Sequence, residues 1–495
     1  MLDNFLLGAG VAFQPVSLLA MLAGVAWGII GGALPGISGS IAMALLLPFT
    51  FGMPASAALM MLAGVYIGAM YGSSIPSILI RTPGSAGSAI TVIDGYELQK
   101  QGKGAKALGV SLVTGFVGGV ASVLILVFLA LPLSRLALVF GPAEYFSLGF
   151  FGLCLIASFA GKEQLKGLVS GLLGLMLATI GTDPFSGTPR FTFGTVDLLG
   201  GVEAIIGIMG LFAVSEILYQ VTETREWAKF RGKAATDLPT LAELKRLTPA
   251  MVIGIGMGTI EGLLPGGGGS VASFIAYNGA KRWSKHPEEF GKGSLEGVAA
   301  PETANNVVTG TALIPLLTFG IPGSNGAAVM LGAMMLHGLL PGPMLFTRNA
   351  DVVYSLFVGL LVANVFMLVL GYLILRPCLY LVNVPRPLLL TAILALVLVG
   401  AYAVTSDIFN VWLVLATGLL GYLMRRYNFN ILAAVLGLVL GFMVEVNFRR
   451  AFLISGGSLS IFWERWVSLL LLTLAFSALA LPLWRRFREI RAEGA

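Results

Sequence analysis

The sequence predicts an all-α polytopic membrane protein with about 12 or more spans, re-entrant hairpins or broken helices, and two repeats of inverted topology. Three observations carry that expectation. Hydrophobic residues make up 57% of the 495 residues and charged residues only 11%, with a mean hydropathy of +0.91. A soluble globular protein carries roughly 25% charged residues, so this chain cannot cover a water-facing surface. A soluble enzyme, a disordered chain and a nucleic-acid binder are thereby excluded. Residues 4–80 contain no charged side chain, which is room for several spans of about 20 residues each. Lastly, Pro-Gly motifs inside apolar runs recur in the same order in both halves of the chain.

Taken in order, apolar runs place spans at 16–34, 55–80, 107–131, 144–160, 165–181, 199–219, 247–264, 303–320, 353–375, 388–404, 409–424, 430–444 and 466–483. Pro or Gly-Ser interrupts several of them and frees backbone groups that lipid cannot satisfy, so those are expected as half-helices or re-entrant hairpins. The first basic residue is Arg81, so no positive segment of a cleavable signal precedes the first apolar run. Charge is concentrated at 222–247, 281–302 and 484–495, and the first of these is the long polar linker that divides the chain. The expected domains are a first repeat half at 1–221, a cytoplasmic linker at 222–247, a second repeat half at 248–465, and a C-terminal span with a basic cytoplasmic tail at 466–495. The net charge of +6 lies in loops, where it marks the cytoplasmic side. Cys154 and Cys378 sit in apolar runs and imply no disulfide framework. His286 and His337 are the only histidines, too few for a haem, a di-metal centre or a His-based triad.

The repeat is specific. GALPGISGS at 32–40 aligns with GLLPGGGGS at 262–270, an offset of 230. IPSILIRTPGSAGSA at 75–89 aligns with IPLLTFGIPGSNGAA at 314–328, an offset of 239, with seven identities in fifteen. Two ordered motifs at nearly one spacing make a tandem duplication. In the first half the basic loop at Lys100–Lys106 follows the second motif, whereas in the second half the basic loop at 280–293 lies between the motifs. If basic loops face the cytoplasm, the halves run oppositely through the membrane, the arrangement of an alternating-access transporter.

Half-helices that start at these motifs aim N–H groups and a positive dipole end at an anion. Ser38, Ser40, Ser85, Ser270 and Ser324 add hydroxyls, and freed carbonyls and amide oxygens suit a small cation. The candidate substrate-binding set is Gly36, Ser38, Gly39, Ser40, Arg81, Pro83, Gly84, Ser85, Gly267, Gly268, Gly269, Ser270, Asn305, Pro322, Gly323, Ser324 and Asn325. Candidate Na+ ligands are Ser40, Ser85, Ser270, Asn305, Asn306 and Ser324. Asn305 and Asn306 open an uncharged run and offer both oxygens and N–H groups. Glu302 beside them reads as a helix cap at the membrane edge, with intramembrane function as the alternative. Arg81 reads equally as a carboxylate clamp or as a side chain snorkelling to the interface. Glu261 reads as a structural hydrogen-bonding group, Asp94 and Glu97 as a solvated loop, His286 as polar surface and His337 as a packed residue.

With GALPGISGS, the stretch SSIPSILIRTPGSAGSAITVIDGYELQKQGKGAKALG, the basic loop running into PETANN, and ALIPLLTFGIPGSNGAAVMLGAMMLHGLLPGP, the chain resembles the large membrane subunit of tripartite tricarboxylate transporters over residues 1–490. The resemblance implies a permease of the bacterial inner membrane rather than an enzyme. It implies as partners a small membrane subunit of about four spans and a periplasmic solute-binding protein. It implies uptake of a carboxylate driven by a cation gradient, usually Na+, with no tightly bound cofactor and no nucleic acid. It further implies hairpin tips at Pro83–Ser85 with Ala86 and at Pro322–Ser324 with Asn325, in a domain that moves like an elevator. Many relatives carry a small polar residue at Arg81 and Thr at Pro76, which leaves tricarboxylates, dicarboxylates and aromatic carboxylates open. An exporter of the same fold and an anion channel remain alternatives.

Overall fold

A computed structural model describes residues 2–34, 37–159, 164–222, 236–264, 269–374 and 385–493. The first helices in chain order are α1 (Leu2–Ala12), α2 (Pro15–Ala33), α3 (Gly39–Leu46), α4 (Ala55–Ile80), α5 (Thr91–Lys100), α6 (Gly104–Ala137), α7 (Pro142–Phe159) and α8 (Gln164–Ala178). A short antiparallel ribbon follows, β1 (Gly181–Thr182) and β2 (Pro189–Arg190). Then come α9 (Ala204–Ile208) and α10 (Ser215–Thr222), joined by a π-helical turn at Met209–Val214. The next group is α11 (Leu241–Leu263), α12 (Ser270–Trp283), α13 (Leu295–Thr311), α14 (Leu313–Phe319), α15 (Asn325–Leu336), α16 (Leu345–Arg348) and α17 (Ala350–Leu373). The last are α18 (Arg386–Thr405), α19 (Ile408–Arg426), α20 (Ile431–Ile454), α21 (Ile461–Glu464) and α22 (Trp466–Glu493).

The helical class expected from composition is what the chain adopts, apart from the small ribbon. Eight helices among the described residues are long and apolar enough to cross a membrane: α2, α4, α6, the run 204–222, α17, most of α18, α19 and α20. The apolar runs at 144–160, 165–181, 247–264 and 466–483 fall on α7, α8, α11 and α22. The run at 303–320 is not one helix, because α13 ends at Thr311 and α14 starts after Ala312. The polar stretch 222–247 is described only from residue 236. There it enters α11 at Leu241 through a capping box in which Thr240 and Glu243 satisfy each other's backbone N–H.

The chain divides into two compact units. The first comprises 1–134 and 220–400, and all of the repeated motifs lie in it. Glycine contact organises its centre. On α2, a Cβ at Gly24, Gly28 or Gly32 would strike the carbonyl of Met61, Val65 or Ala69 on α4. On α11, Gly254 and Gly258 stand equally close to the carbonyls of Ala300 and Ala304 on α13, and Gly262 to the Thr311 side chain. Small residues four apart let helices approach backbone to backbone, which is how helices associate where lipid removes the hydrophobic drive. Lys106 at the start of α6 pairs with Asp237 at 3.0 Å and Glu243 at 3.2 Å, so the described end of the linker is tied to this unit.

The second unit comprises 135–219 and 401–495. Gly174 of α8 packs on Ala434 of α20, and Gly437 of α20 packs back on Gly171. Ser147 of α7 and Ser468 of α22 share a buried hydrogen bond of 2.7 Å. The ribbon is held to α20 by ions: Arg190 pairs with Glu445 at 2.5 Å, and Arg449 with Asp183 at 2.8 Å. The N–H of Phe185, the Arg449 guanidinium and the N–H of Ser186 hold the Asp183 carboxyl well below the usual carboxylate range.

Candidate functional site

The site is built where helices stop. Pro76 inside α4 cannot donate to the helix ladder, and α4 ends at Arg81 in the left-handed conformation, φ +56°. The chain then turns back, so that the N–H of Thr82 reaches the Pro76 carbonyl at 3.2 Å and that of Gly84 the Ser73 carbonyl at 3.2 Å. The same turn follows α14. It ends at Gly320, φ +77°, with the N–H of Ile321 on the Pro315 carbonyl at 3.2 Å and that of Gly323 on the Ala312 carbonyl at 3.4 Å. Ser85 and Ser324 then sit at the start of the next helical turns: the Ser324 hydroxyl receives the N–H of Ala327, and the N–H of Ser85 reaches the Ser88 hydroxyl.

Asn305, within α13, faces one such turn. Its side chain is 1% exposed, and neither Oδ1 nor Nδ2 finds a hydrogen-bond partner among the described residues. A buried amide left so costs roughly 1–3 kcal/mol per group. Oδ1 faces the first turn at Gly87, where an added Cβ would overlap it, and faces Gly269, where a Cβ would stand 2.7 Å away. Gly269, φ +87°, is the residue before α12, and no side chain caps that helix start. Asn305 therefore looks at the positive end of a 14-residue helix. Ser273 secures that helix by donating to the carbonyls of Gly269 at 2.8 Å and Pro301 at 3.2 Å.

The other expected residues distribute around this point. Gly84 and Gly323 are buried against backbone, Gly84 on the Gly32 carbonyl and Gly323 on that of Gly262, so both are packing positions. Pro83 and Asn325 are exposed, while Pro322 and Ser324 are buried. Ser38 precedes α3 and bonds the Ser40 hydroxyl at 2.9 Å, with Gly39 packed on Ala69, Met70 and Tyr66. Ser270 is half-buried at the start of α12. Asn306 turns away from Asn305. Its Nδ2 donates to the Glu302 carbonyl at 2.9 Å, and it packs on Gly115 of α6, so the two amides do not converge. Gly36, Gly267 and Gly268 lie outside the described residues. Arg81 is exposed, with its guanidinium 5.8 Å from the Tyr96 ring centroid.

Two carboxylates sit differently from the sequence expectation. Glu302 caps no helix. It lies within α13, fully buried, and accepts hydroxyls from Thr91 at 2.5 Å and Ser111 at 3.0 Å. Asp94 is not in a solvated loop. It is fully buried on α5 and accepts the N–H groups of Gly291, Gly293 and Ser294, each at 2.8 Å, and the Tyr277 hydroxyl at 2.8 Å. The basic loop 284–294 is thus pinned from below by one carboxylate. Glu261 is buried near the end of α11, and among the described residues its Oε1 has no hydrogen-bond partner.

Tyr66 escaped the sequence reading. Its hydroxyl lies 2.8 Å from Ser324 Oγ, and Gly326 and Gly39 pack on its ring. The signal was present, since the offset of 239 carried nine residues upstream of Ile75 sets Tyr66 against Asn305. Among the described residues no group of three or more His, Cys, Asp or Glu side chains is placed to hold a metal ion. Polar chemistry at the site is confined to neutral oxygens and N–H groups, which suit a hydrated or partly desolvated monovalent ion and an oxyanion.

Comparison with known proteins agrees with the resemblance. The model of the tripartite tricarboxylate transporter TctA family matches residues 18–436. A protein of Agrobacterium vitis described as an uncharacterized 52.8 kDa protein in the TAR-I ttuC' 3'region is 35% identical over 491 residues, 99% of this chain and 98% of the relative. A shorter Agrobacterium vitis protein, from the TAR-II ttuC' 3'region, is 35% identical over 234 residues, 47% of this chain and 97% of its own length. No solved structure matches the chain.

Proposed function

The chain belongs to the tripartite tricarboxylate transporter TctA family and is a multi-pass membrane protein, and from that premise we propose that it is a secondary active permease subunit importing an organic carboxylate with a monovalent cation, Na+ before H+. The observation that carries this reading is the Asn305 amide, buried with both polar atoms unpartnered at the start of α12. A cation alone would satisfy Oδ1 and leave Nδ2 bare, while an anion alone would do the reverse. A carboxylate bound with its counter-cation satisfies both atoms. It also avoids most of the cost of bringing a lone charge into low dielectric.

The matching turns after α4 and α14 support two inverted-topology repeats, with Pro83–Ser85 and Pro322–Ser324 at the tips of re-entrant hairpins. An elevator-like movement, delivery by a periplasmic binding protein, a small membrane subunit of about four spans and residence in the bacterial inner membrane belong to the same proposal. Glu261 favours a second reading, in which protons drive uptake, because one of its buried oxygens is unpartnered.

Uptake of labelled citrate, a C4-dicarboxylate and an aromatic dicarboxylate, with and without external Na+, tests both. Asn305→Ala should lower Na+-driven uptake about ten- to a hundredfold, the equivalent of one or two charge-assisted hydrogen bonds, with normal amounts of protein in the membrane. Unchanged uptake by Asn305→Ala would remove the site. Uptake indifferent to Na+ but lost in Glu261→Gln would move the coupling to protons.

A further inference from the structure

The Asn305 pocket has a counterpart, and the counterpart is closed. The offset of 239 relates Tyr66 to Asn305, Gly87 to Gly326 and Ser85 to Ser324, and the offset of 230 relates Gly39 to Gly269. Each set gathers in the same way. Asn305 faces Gly87 and Gly269, and Tyr66 faces Gly326 and Gly39, with a Cβ at Gly326 falling 2.6 Å from the tyrosine ring. The two differ in what the central side chain does. The Tyr66 phenol fills the space between its two glycines and ends in a 2.8 Å hydrogen bond to Ser324 Oγ, which also receives the N–H of Ala327 at 3.1 Å. Asn305 is shorter, reaches no partner with either amide atom, and leaves Ser85 to bond Ser73 at 3.1 Å instead. One pocket is satisfied from within, and the other holds a buried donor and acceptor that no described residue satisfies.

We propose that Tyr66 is a plug that closes the second of two duplicated pockets, so that the chain binds one monovalent cation with its carboxylate, at Asn305, where the repeat would otherwise supply two such sites. This rests on the reading of the Asn305 pocket given above. Tyr66 thereby sets the number of ions that accompany each substrate. It also ties α4 to the turn before α15 without any ligand, whereas the Gly87 turn has no such bond to Asn305.

The test is equilibrium binding of radiolabelled Na+ to the full-length purified chain in saturating citrate, with choline as the replacing cation, and thermal melting in choline as the measure of folding. The wild-type chain should bind one Na+, Tyr66→Asn two, and Tyr66→Phe one, because the ring still fills the space. Asn305→Tyr, which installs the plug in the open pocket, should bind none and should melt within a few degrees of wild type. Two Na+ per wild-type chain would overturn the proposal. So would a single Na+ in a Tyr66→Asn chain that melts normally, and that result would leave the Asn305 reading standing. Should Tyr66→Asn fail to fold, the Asn305→Tyr result decides: Na+ bound as in wild type overturns the plug and the pocket together, as does a wild-type chain that binds no Na+.

Discussion

The α2–α4 pair and the α11–α13 pair are packed on one plan and filled differently. In both, glycines four residues apart on the first helix press against the backbone of the second: Gly24, Gly28 and Gly32 on α4, then Gly254, Gly258 and Gly262 on α13. In the first pair the contact is mutual, because Gly64, Gly68 and Gly72 of α4 press back on α2. In the second pair those three positions are Thr303, Val307 and Thr311. The hydroxyl of Thr311 lies 3.2 Å from the Gly258 carbonyl, and that of Thr303 bonds the Ala299 carbonyl of its own helix at 2.8 Å. The first pair is a dry glycine interlock, and the second is spaced by hydroxyls. The same helix that lost its glycines acquired Glu302 and Asn305, where α4 has Ala63 and Tyr66. Close approach of two backbones leaves no room for variation, so the packing survived on both sides. Asn305 and Tyr66 face the α12 and α15 helix starts, whereas Glu302 faces α5 and α6.

Gly68→Val places in α4 the residue that α13 carries at the matching position, and it should have the largest effect. A Cβ there would overlap the Val25 carbonyl, and backbone cannot step aside as a side chain can. The cost should exceed about 3 kcal/mol, read as loss of monodisperse protein on detergent size-exclusion chromatography; a normal elution profile would show that the interlock can open. Glu302→Ala should come next. It leaves the buried Thr91 hydroxyl without its acceptor and takes one of two partners from Ser111, which keeps Ser74 at 2.7 Å, for about 2–3 kcal/mol, measured as a lower melting temperature, and Glu302→Gln should recover part of it. If Glu302→Ala melts like wild type, the polar filling of α13 is not structural.

Asp94→Asn keeps one acceptor oxygen but loses the charge that holds three backbone N–H groups and the Tyr277 hydroxyl. It should cost about 1–2 kcal/mol and expose Lys285 and Lys292 to trypsin, with cleavage of 284–294 at least severalfold faster than in wild type. Arg81→Gly should have the smallest effect, and of opposite sign. Its counterpart Gly320 holds the same left-handed turn without a side chain, so the substitution should stabilise the fold by up to about 1 kcal/mol, raising the melting temperature.

The breaks at the repeated Pro-Gly motifs were legible, because Pro and Gly act through local backbone geometry, whereas the left-handed stop at Arg81 was not. Asn305 was legible as an amide in an uncharged run, since such a group needs a reason to be there. Asp94 was not, because its sequence neighbours Gly95, Tyr96 and Glu97 read as a turn, and the donors that bury it lie some 200 residues away. Glu302 misled for a similar reason: next to Pro301 it looks like a helix start, whereas the helix begins at Leu295 and carries the proline in its interior.

Composition and the Pro-Gly motifs were thus sufficient for the helical membrane class and for the breaks after α4 and α14, though not for Pro301, which α13 carries in its interior. Those properties follow from transfer to lipid and from dihedral freedom, both of which belong to single residues or short runs. The division of labour between the two halves was decided by packing in three dimensions. Whether a buried hydroxyl, amide or carboxylate is satisfied depends on groups brought from far along the chain, as Ser324 is to Tyr66 and as nothing described is to Asn305.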